Sequence, residues 1–332
     1  MTTIKDVAKA AGVSTATVSR VINNSSKVPV DKANKIREVI NQVGYEIANN
    51  RRLGINKPQG SIGLLINEIN SPYGGLVASG VEKVARKNGL KPIILTSLDN
   101  KDDEEENLQY LLDIGCKKIV VHYQSISDST IEKYSKDEHG IVVLNRKIES
   151  MKNRCVYFDH EQGGYLATKR LLEKGHRGIA FLTSNINILD KTERYKGYLR
   201  ALSEYNINAN LDWLEEVPSD EHSIIVAVTN LMSKTSSISA IVAFNDFYAS
   251  VTMQVLHDRG LRVPEDISVI GYDNVLPQCY FHPKLSTINF PIERMAMNAA
   301  ILSICGEDSH VDRCFNSTFI DRETIKNLIS KR

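Results

Sequence analysis

Two kinds of hydrophobic spacing divide the chain into a short N-terminal segment and a long body. Up to Val43, apolar positions such as Val7, Val18 and Val21 recur at helical spacing. From residue 61 onward, short runs of consecutive apolar residues alternate with helical patterns, which is typical of buried parallel strands joined by helices. The pattern therefore predicts a small all-α unit followed by an α/β body with parallel sheets.

The body contains enough predicted elements for two lobes. Seven apolar runs are predicted strands: Ile62–Ile66, Pro92–Thr96, Lys118–His122, Ile141–Leu144, Ile179–Leu182, Ala240–Phe244 and Ser268–Gly271. The intervening helical patterns include Gly75–Lys87, Gly163–Glu173, Glu193–Tyr205, Asp246–Arg259 and Ile292–Cys305. We predict two packed α/β lobes after the linker Lys57–Gly60.

The N-terminal segment has the spacing of a helix-turn-helix. Gly12 interrupts the apolar pattern once and allows the tight turn between two short helices. Ser14 is suited to cap the second helix, and a third helix from Asp31 to Val43 would close the small core. In a duplex, the N-terminal residues of the second helix would enter the major groove.

Charge supports a nucleic-acid partner for this segment. Residues 1–57 carry ten basic and four acidic side chains, a net charge of +6, whereas the whole chain has +1. The remainder therefore carries −5. A compact basic segment on an acidic body is expected of a module that binds phosphates. The partner we expect is double-stranded DNA.

Arg20 is the predicted guanine reader, because a guanidinium matches the O6 and N7 atoms of guanine. The alternative is that Arg20 only clamps a phosphate. Other residues of the segment would contact thymine methyl groups or the backbone. The predicted DNA-facing set is Lys5, Ser14, Thr15, Ala16, Thr17, Ser19, Arg20, Asn23 and Lys27.

The run Thr3-Ile4-Lys5-Asp6-Val7-Ala8, continuing through Gly12-Val13-Ser14 and Thr17-Val18-Ser19-Arg20-Val21, resembles the headpiece of the lactose/galactose repressor family. The resemblance extends along the whole chain and is closest to galactose repressors. It implies a body of two α/β lobes with doubly wound parallel sheets, resembling the periplasmic binding proteins. The chain would cross between the lobes three times, and a ligand would lie between them. It also implies a homodimer that binds a pseudo-palindromic operator.

The hinge after the headpiece departs from the family pattern. The family places proline where Ile47 stands and its DNA-wedging leucine where Gly54 stands. Leu53 is one residue early, and one residue turns a helical side chain by about 100°. By the resemblance, Asn49, Arg51, Arg52 and Leu53 remain candidate DNA contacts.

Polar residues directly after the apolar runs are candidate ligand contacts, since ligands of open α/β sheets lie beyond the carboxyl ends of strands. Asn145, Asn245 and Asp273 are in such places, whereas Asp246 is better explained as the start of a helix. Arg194 is expected at a helix start, where a cation is unfavourable unless it serves a function. The resemblance selects these same four positions and adds three that offer apolar or stacking surface. The predicted effector-binding set is Pro72, Tyr73, Asn145, Arg194, Asn245, Asp273 and Phe290.

Side chains of this kind suit a polyol, and the resemblance favours galactose or a galactoside as effector. A purine or amino acid is the alternative, and the ligand could act as inducer or corepressor. We expect no enzyme, cofactor or metal site: the dispersed histidines, including His122 and His176, are interpreted as structural, and the acidic run Asp102–Glu106 as a helix start.

The expected domains are a headpiece over residues 1–45, a hinge and linker over 46–60, and an effector-binding and dimerisation domain over 61–332. Lobe 1 would comprise about 61–158 and 291–315, and lobe 2 about 159–290 and 316–332. No signal peptide or membrane span is visible, and the scattered cysteines fit reduced thiols, so we expect a cytoplasmic protein. A secreted solute-binding protein, which would share this body, is disfavoured by the headpiece and by the lack of a secretion signal.

Overall fold

The computed structural model describes residues 4–22, 28–42, 60–98, 100–136, 140–186, 188–234 and 237–329. The chain divides into two compact units, one within residues 1–58 and the other from residue 59 onward. We describe each unit by itself. Among the described residues, no helix has both the length and the apolar character needed to cross a bilayer.

The helices follow one another in chain order through both units. They are α1 (Ile4–Ala11), α2 (Thr15–Ile22), α3 (Val30–Gln42), α4 (Pro72–Lys87), α5 (Lys101–Asp113), α6 (Asp128–Ser135), α7 (His160–Glu173), α8 (Leu189–Glu204), α9 (Glu221–Lys234), α10 (Asp246–Asp258) and α11 (Ile292–Cys305).

All the strands belong to the second unit. They are β1 (Ser61–Ile66), β2 (Lys91–Thr96), β3 (Lys118–Val121), β4 (Gly140–Leu144), β5 (Cys155–Phe158), β6 (Ile179–Ser184), β7 (Leu214–Val217), β8 (Ala240–Ala243), β9 (Ser268–Asp273), β10 (Ser286–Asn289), β11 (Cys314–Phe315) and β12 (Thr318–Ile320).

The first unit is a three-helix cluster around a small core. The apolar faces of α1 and α2 bury Val7, Val18 and Val21 completely or nearly so, and α3 adds Ile36. Ala8 is also buried, and its side chain is small because a larger one would hold the helices apart. Ser14 caps α2 as predicted, because its Oγ accepts a 3.2 Å hydrogen bond from the Thr17 amide. The helix-turn-helix spacing read from the sequence is confirmed.

The second unit contains two six-stranded sheets, which define its two lobes. The strand order is β11-β5-β4-β3-β1-β2 in lobe 1, where all pairings are parallel. It is β12-β10-β9-β8-β6-β7 in lobe 2, where only β12 runs antiparallel to its neighbour β10. The predicted fold class, two α/β lobes with doubly wound parallel sheets, is confirmed.

The chain passes between the lobes three times. It crosses from β5 to α7, returns from β10 to α11, and crosses again from β11 to β12. Helix α11 packs on α4, β3 and β4, so it belongs to lobe 1 although it follows the strands of lobe 2 in sequence. The cleft between the lobes therefore opens beside these crossings.

Helices α7 and α8 make an unusually close contact in lobe 2. A Cβ atom on Gly164 would lie 2.0 Å from the carbonyl oxygen of Arg194, and one on Gly197 would lie 2.0 Å from that of Glu161. Only glycine allows two helix backbones to approach this closely. This crossing fixes the position of α8, the helix that carries Arg194.

The sequence patterns missed several elements. Strand β5 has only four residues, too few for a clear pattern, and β10 is buried yet begins with Ser286 and Thr287, which interrupt its apolar run. Acidic residues do begin α5, where Asn100 is the cap, as predicted for the run Asp102–Glu106. All five cysteines are free thiols.

Candidate functional site

A cleft of about 400 Å³ lies between the carboxyl ends of the strands of the two lobes. Its walls come from the loops after β1, β3 and β4 on one side and β6, β8 and β9 on the other. The structure brings all seven predicted effector-binding residues into this lining: Pro72, Tyr73, Asn145, Arg194, Asn245, Asp273 and Phe290.

Arg194 is the central cation of the inner end of the cleft, and it is only 3% exposed. Its Nη1 donates a 2.6 Å hydrogen bond to the Phe244 carbonyl, and its Nη2 lies 3.5 Å from Asp273 Oδ1 and 3.8 Å from Asp190 Oδ2. The guanidinium also stacks 3.7 Å above the Tyr272 ring. Buried charges need such pairing, so the side chain is held rigidly in one orientation.

The expectation that Arg194 begins a helix is wrong. Helix α8 begins at Leu189, five residues earlier, so Arg194 lies beyond its first turn. The cation is explained instead by the two carboxylates beside it, at Asp190 and Asp273. Asp190 was missed because the helix start was predicted too late.

His160 and Asn145 form a hydrogen-bonded chain behind the cleft wall. Arg194 Nε donates to His160 Nδ1 at 3.3 Å, so this nitrogen is the acceptor and the proton lies on Nε2. His160 Nε2 then donates to Asn145 Oδ1 at 2.9 Å, and Asn145 Nδ2 donates to Asp190 Oδ2 at 2.9 Å. Burial lowers the pKa of His160 to about 3, which keeps the ring neutral.

Carboxylates outnumber cations at the inner end of the cleft. Burial raises the pKa of Asp273 to about 6, although Arg194 opposes the shift. Burial and the neighbouring Asp273 raise the pKa of Asp246 to about 7. Burial alone would raise the pKa of Asp190 too, but the Arg194 cation and the hydrogen bond from Asn145 lower it below its ordinary value. The inner end is thus rich in acceptors for hydroxyl and N–H groups.

Asn245 and Asp246 at the start of α10 both make structural contacts in addition to lining the cleft. Asn245 caps the helix, because its Oδ1 accepts from the Tyr248 amide at 3.1 Å. Asp246 is the first residue of α10, as predicted, and its carboxylate also accepts from Thr287 Oγ1 at 2.7 Å and from the Val275 amide at 3.1 Å. Asp246 therefore fastens β10 and the loop after β9 to α10, and both residues line the cleft.

Aromatic rings form the apolar surface of the cleft. The Phe290 ring centroid lies 4.4 Å from that of Phe158 and 5.9 Å from that of Tyr73. Such a surface suits the apolar face of a ring-shaped ligand. Tyr73 also lies 5.1 Å from the His122 ring.

The interpretation of His122 as a structural histidine with satisfied hydrogen bonds is wrong. Its ring lines the cleft, and within the described part of the chain its buried Nδ1 has no hydrogen-bond partner. His176 is structural as predicted, since Ser239 Oγ lies 2.9 Å from its Nδ1 and the Lys326 carbonyl oxygen 3.1 Å from its Nε2.

Glu104 supports the lobe 1 wall that contains His122. Its buried carboxylate accepts 2.8 Å hydrogen bonds from the amides of Gln124, Ser125 and Ile126, which follow β3. These bonds hold the loop that presents His122 and Gln124 to the cleft. The acidic run therefore does more than begin α5. Its Glu104 also holds the loop after β3, which the sequence pattern did not predict.

The exposed face of α2 carries the central residues of the predicted DNA-facing set. Thr15, Ala16 and Arg20 are exposed, and Ala16 and Arg20 are four residues apart on one side of the helix. Thr17 and Ser19 are partly buried, Ser14 is the exposed cap, and Lys5 is exposed on α1. Six predicted contacts lie outside the described residues: Asn23, Lys27, Asn49, Arg51, Arg52 and Leu53. The hinge expectations for Ile47 and Gly54 lie there too.

These observations define a class of protein: a two-lobed α/β body with a ligand-sized cleft, joined in one chain to a helix-turn-helix unit. Residues 59–309 match the family model described as periplasmic binding proteins and sugar binding domain of the LacI family, and residues 3–47 match that of bacterial regulatory proteins of the lacI family. The chain belongs to the LacI family of DNA-binding transcriptional regulators.

Relatives resemble the chain over nearly its whole length. The transcriptional regulator GalR of Escherichia coli K12 is 34% identical over 98% of this chain and 96% of its own. The transcriptional repressor PurR of Aliivibrio salmonicida is 33% identical over 94% of this chain and 95% of its own. The crystal structure of the Escherichia coli repressor ascG is similar with a TM-score of 0.72 and 28% identity, over 80% of this chain and 99% of that one.

Proposed function

We propose that this regulator is a repressor that a neutral sugar, galactose or a galactoside, releases from its operator. In this proposal residues 1–45 bind DNA, residues 46–60 are the hinge and linker, and residues 61–332 bind the effector and form the homodimer. The galactose assignment follows from the resemblance of the sequence to galactose repressors, and GalR of Escherichia coli is 34% identical to this chain.

The observation that carries the sugar proposal is the grouping of Asn145, Arg194 and Asp273 at the buried end of the cleft. Each of these side chains can bind more than one hydroxyl group. Tyr73 and Phe290 offer ring faces against which the apolar face of a pyranose would pack.

The charged groups that line the cleft favour an uncharged effector over an anionic one. Arg194 is already paired with Asp190 and Asp273, and Asp246 adds a further acid to the lining. A phosphate or carboxylate placed there would meet these acids without an unpaired cation from Arg194 to balance it. Hydroxyl groups, in contrast, donate hydrogen bonds to carboxylates without adding charge to the site.

The DNA-binding part of the proposal rests on α2. Arg20, with Thr15 and Ala16 on the exposed face, would contact base edges, while Lys5 and the capped N-terminus at Ser14 would contact phosphates. A homodimer would place two such helices on a pseudo-palindromic operator, with half-sites about one helical turn apart.

The coupling would run through the lobes. The loops that bind the ligand belong to both sheets, so a bound sugar bridges them and favours one relative lobe position. If that position binds operator less well, the ligand weakens DNA binding by a coupling free energy of about 1–3 kcal/mol.

Thermal unfolding of the full chain against sugars, purines and amino acids tests the proposal. A specific ligand at 100 times its Kd adds about 2.7 kcal/mol to stability, which is easily measured. We expect galactose or a galactoside to raise Tm and to weaken operator binding in a parallel titration. A shift with only a purine or amino acid would overturn the effector assignment, and tighter operator binding with the ligand would make it a corepressor.

A further inference from the structure

Lysine side chains cluster where the first strands of lobe 1 begin. We call this border of the sheet, at the first residues of β1, β2 and β3, the amino edge. Lys91 begins β2 and Lys118 begins β3, while Lys117 directly precedes β3. Lys87 ends α4, four residues before Lys91. Lys87, Lys91 and Lys117 are exposed, and Lys118 is partly buried. We call these four residues the lysine row.

The register of the sheet places two of these lysines on either side of β1. Lys91 is the parallel partner of Ser61, the first residue of β1. On the other side of β1, Ile119 of β3 is the partner of Gly63. Two residues earlier in each strand, Lys117 is therefore level with Ser61. Neighbouring strands are about 4.8 Å apart, so the Cα atoms of Lys91 and Lys117 are about 10 Å apart across β1.

The charges of the lysine row are not paired with carboxylates in the part of the chain that the structure describes. Two other basic residues of α4 are paired, since Lys83 contacts Glu293 and Arg86 contacts Glu82. None of the four lysines of the row makes such an ion pair with a described residue. Their ammonium groups are therefore available to an anionic partner.

Positive charge is concentrated at the amino edge although the body is acidic. The chain has a net charge of +1 and residues 1–57 have +6, so the remainder has −5. At the carboxyl ends of the same strands the residues are acidic, because Glu68 follows β1 and Asp102 and Asp103 are in the first turn of α5. The composition of the body therefore does not explain the lysine row.

Helix dipoles account for only one member of the row. A lysine in the last turn of a helix offsets the negative end of the helix dipole, which explains Lys87 at the end of α4. Lys91, Lys117 and Lys118 lie outside helices. Asp113, the last residue of α5, adds one carboxylate near the start of β3. Even with this acid the lysines leave the edge positive, which favours a polyanion as partner.

The amino edge is also where the chain enters the body. The Lys91 amide donates a 3.2 Å hydrogen bond to the Gly60 carbonyl, so the last residue before β1 is held beside β2. Residues 43–59 connect Gly60 to the end of α3. DNA bound by the helix-turn-helix unit is therefore tethered to this edge by one short segment. Such a tether raises the effective concentration of DNA at the lysine row.

We propose that the lysine row binds phosphates of the operator backbone, in addition to the contacts made by residues 1–60. This inference goes beyond the proposed function, which assigns only effector binding and dimerisation to residues 61–332. Each lysine replaces condensed counterions at a phosphate, so these contacts strengthen DNA binding and make it more dependent on salt. They carry no base preference.

Salt dependence of DNA binding by the full-length protein tests this inference, with a duplex that the protein itself has selected from a random library. In the double variant Lys91→Gln and Lys117→Gln, the slope of log K against log salt concentration should fall in magnitude by about 3–4. This is about 0.9 for each of the four phosphate contacts that a homodimer would lose. Kd should rise about tenfold or more at an ionic strength of about 0.1 M. The loss should be equal on the selected duplex and on its single-base variants.

Two further double variants are matched controls. Lys101→Gln and Lys196→Gln together remove the same charge from exposed positions at the start of α5 and on α8, and should leave the slope unchanged. Lys91→Arg and Lys117→Arg together keep the charges and should keep the slope. Ethylation of single DNA phosphates should weaken binding of the wild type at positions where it no longer affects the glutamine variant of the row. Equal Tm values of all variants would show that the fold is intact.

The outcomes separate this inference from the proposed function. An unchanged slope in Lys91→Gln with Lys117→Gln would overturn the lysine row as a DNA contact. An equal decrease in the Lys101→Gln and Lys196→Gln control would also overturn it, since net charge alone would then set the slope. Neither result affects the sugar proposal, which thermal unfolding with galactose tests through the cleft. The expected change of slope in a protein that responds to no sugar would support the inference and overturn the proposed effector.

Discussion

The amide nitrogen of Asn145 donates a 2.9 Å hydrogen bond to Asp190 Oδ2, and this bond joins the two lobes. Asn145 follows β4 of lobe 1, whereas Asp190 is in the first turn of α8 in lobe 2. The backbone of Asn145 has a φ of 61°, a left-handed conformation that asparagine tolerates better than most residues. One residue thus combines a strained backbone, a connection between lobes and a place in the effector cleft.

Replacing Asn145 by alanine or by glycine separates these roles. Both variants lose the bonds to His160 and Asp190, and we expect both to weaken sugar binding about tenfold or more. Asn145→Gly should be more stable than Asn145→Ala by about 0.5–1 kcal/mol, because a Cβ is unfavourable at positive φ. Urea unfolding and calorimetry measure the two effects. Equal stability of the two variants would show that the positive φ at position 145 does not itself strain the backbone.

Arg194→Ala should abolish the response to effector. The substitution leaves Asp190 and Asp273 buried without their cation, which we expect to cost about 3–5 kcal/mol of stability. The ratio of operator Kd with and without sugar measures the response. Arg200→Ala on the same helix is the control, because Arg200 is exposed and pairs with Glu161 outside the cleft. If Arg194→Ala preserved this ratio, the assignment of Arg194 to the effector site would be wrong.

Asp246 should make folding stability depend on pH. Its folded pKa, raised to about 7, lies above the ordinary value near 4, so the wild type loses stability relative to Asp246→Asn as pH rises from about 4 to 7. The difference in unfolding free energy should change by an amount on the order of 4 kcal/mol across this window and then level off. Asp258→Asn, at the exposed end of the same helix, should follow the wild type. A constant difference for Asp246→Asn would show that the group is ionised throughout.

Gly164→Ala should disturb the effector site from outside it. The added Cβ would lie 2.0 Å from the Arg194 carbonyl oxygen, so α8 must move away from α7. We expect a loss of about 3 kcal/mol in stability, which is the upper end of the usual range for overpacking, and weaker sugar binding. Gly75→Ala is the control, since a Cβ there meets nothing within 4 Å. Unchanged sugar affinity in a folded Gly164→Ala would mean that α8 can shift without moving Arg194.

Arg20→Ala should reduce operator affinity by about 1–3 kcal/mol and relax preference at one base pair in each half-site. Binding to a set of single-base operator variants measures this preference. Lys5→Ala, which removes an exposed charge that the proposal assigns to a phosphate, serves as the comparison for a loss that is uniform over all sequences. A uniform loss in Arg20→Ala as well would assign Arg20 to a phosphate.

The sequence patterns predicted best those elements that are determined by local features of the sequence. Helix α11 has the predicted bounds Ile292–Cys305, because both its apolar stripe and its ends are local features. Strand β10 was missed because Ser286 is buried by long-range hydrogen bonds to Thr324 and Arg322, which no local pattern contains.

The residues of the candidate site were also predicted best where local features of the sequence identify them. All seven predicted positions line the cleft, since residues after strands and the family resemblance both point there. His160 and Asp190 were missed because one follows the unpredicted strand β5 and the other precedes the predicted start of α8. The contact of Asp246 with Thr287 was not predicted, because it joins residues that are 41 positions apart in the sequence.

The three passages between the lobes also set the order in which a ribosome can deliver a complete body. Lobe 1 needs α11 to cover α4 and β11 to finish its sheet, and β11 ends at Phe315. Lobe 2 waits for β12, which ends at Ile320. Neither sheet can therefore be completed until nearly the entire chain of 332 residues has been synthesised, whereas all three helices of the N-terminal unit have been made by residue 42.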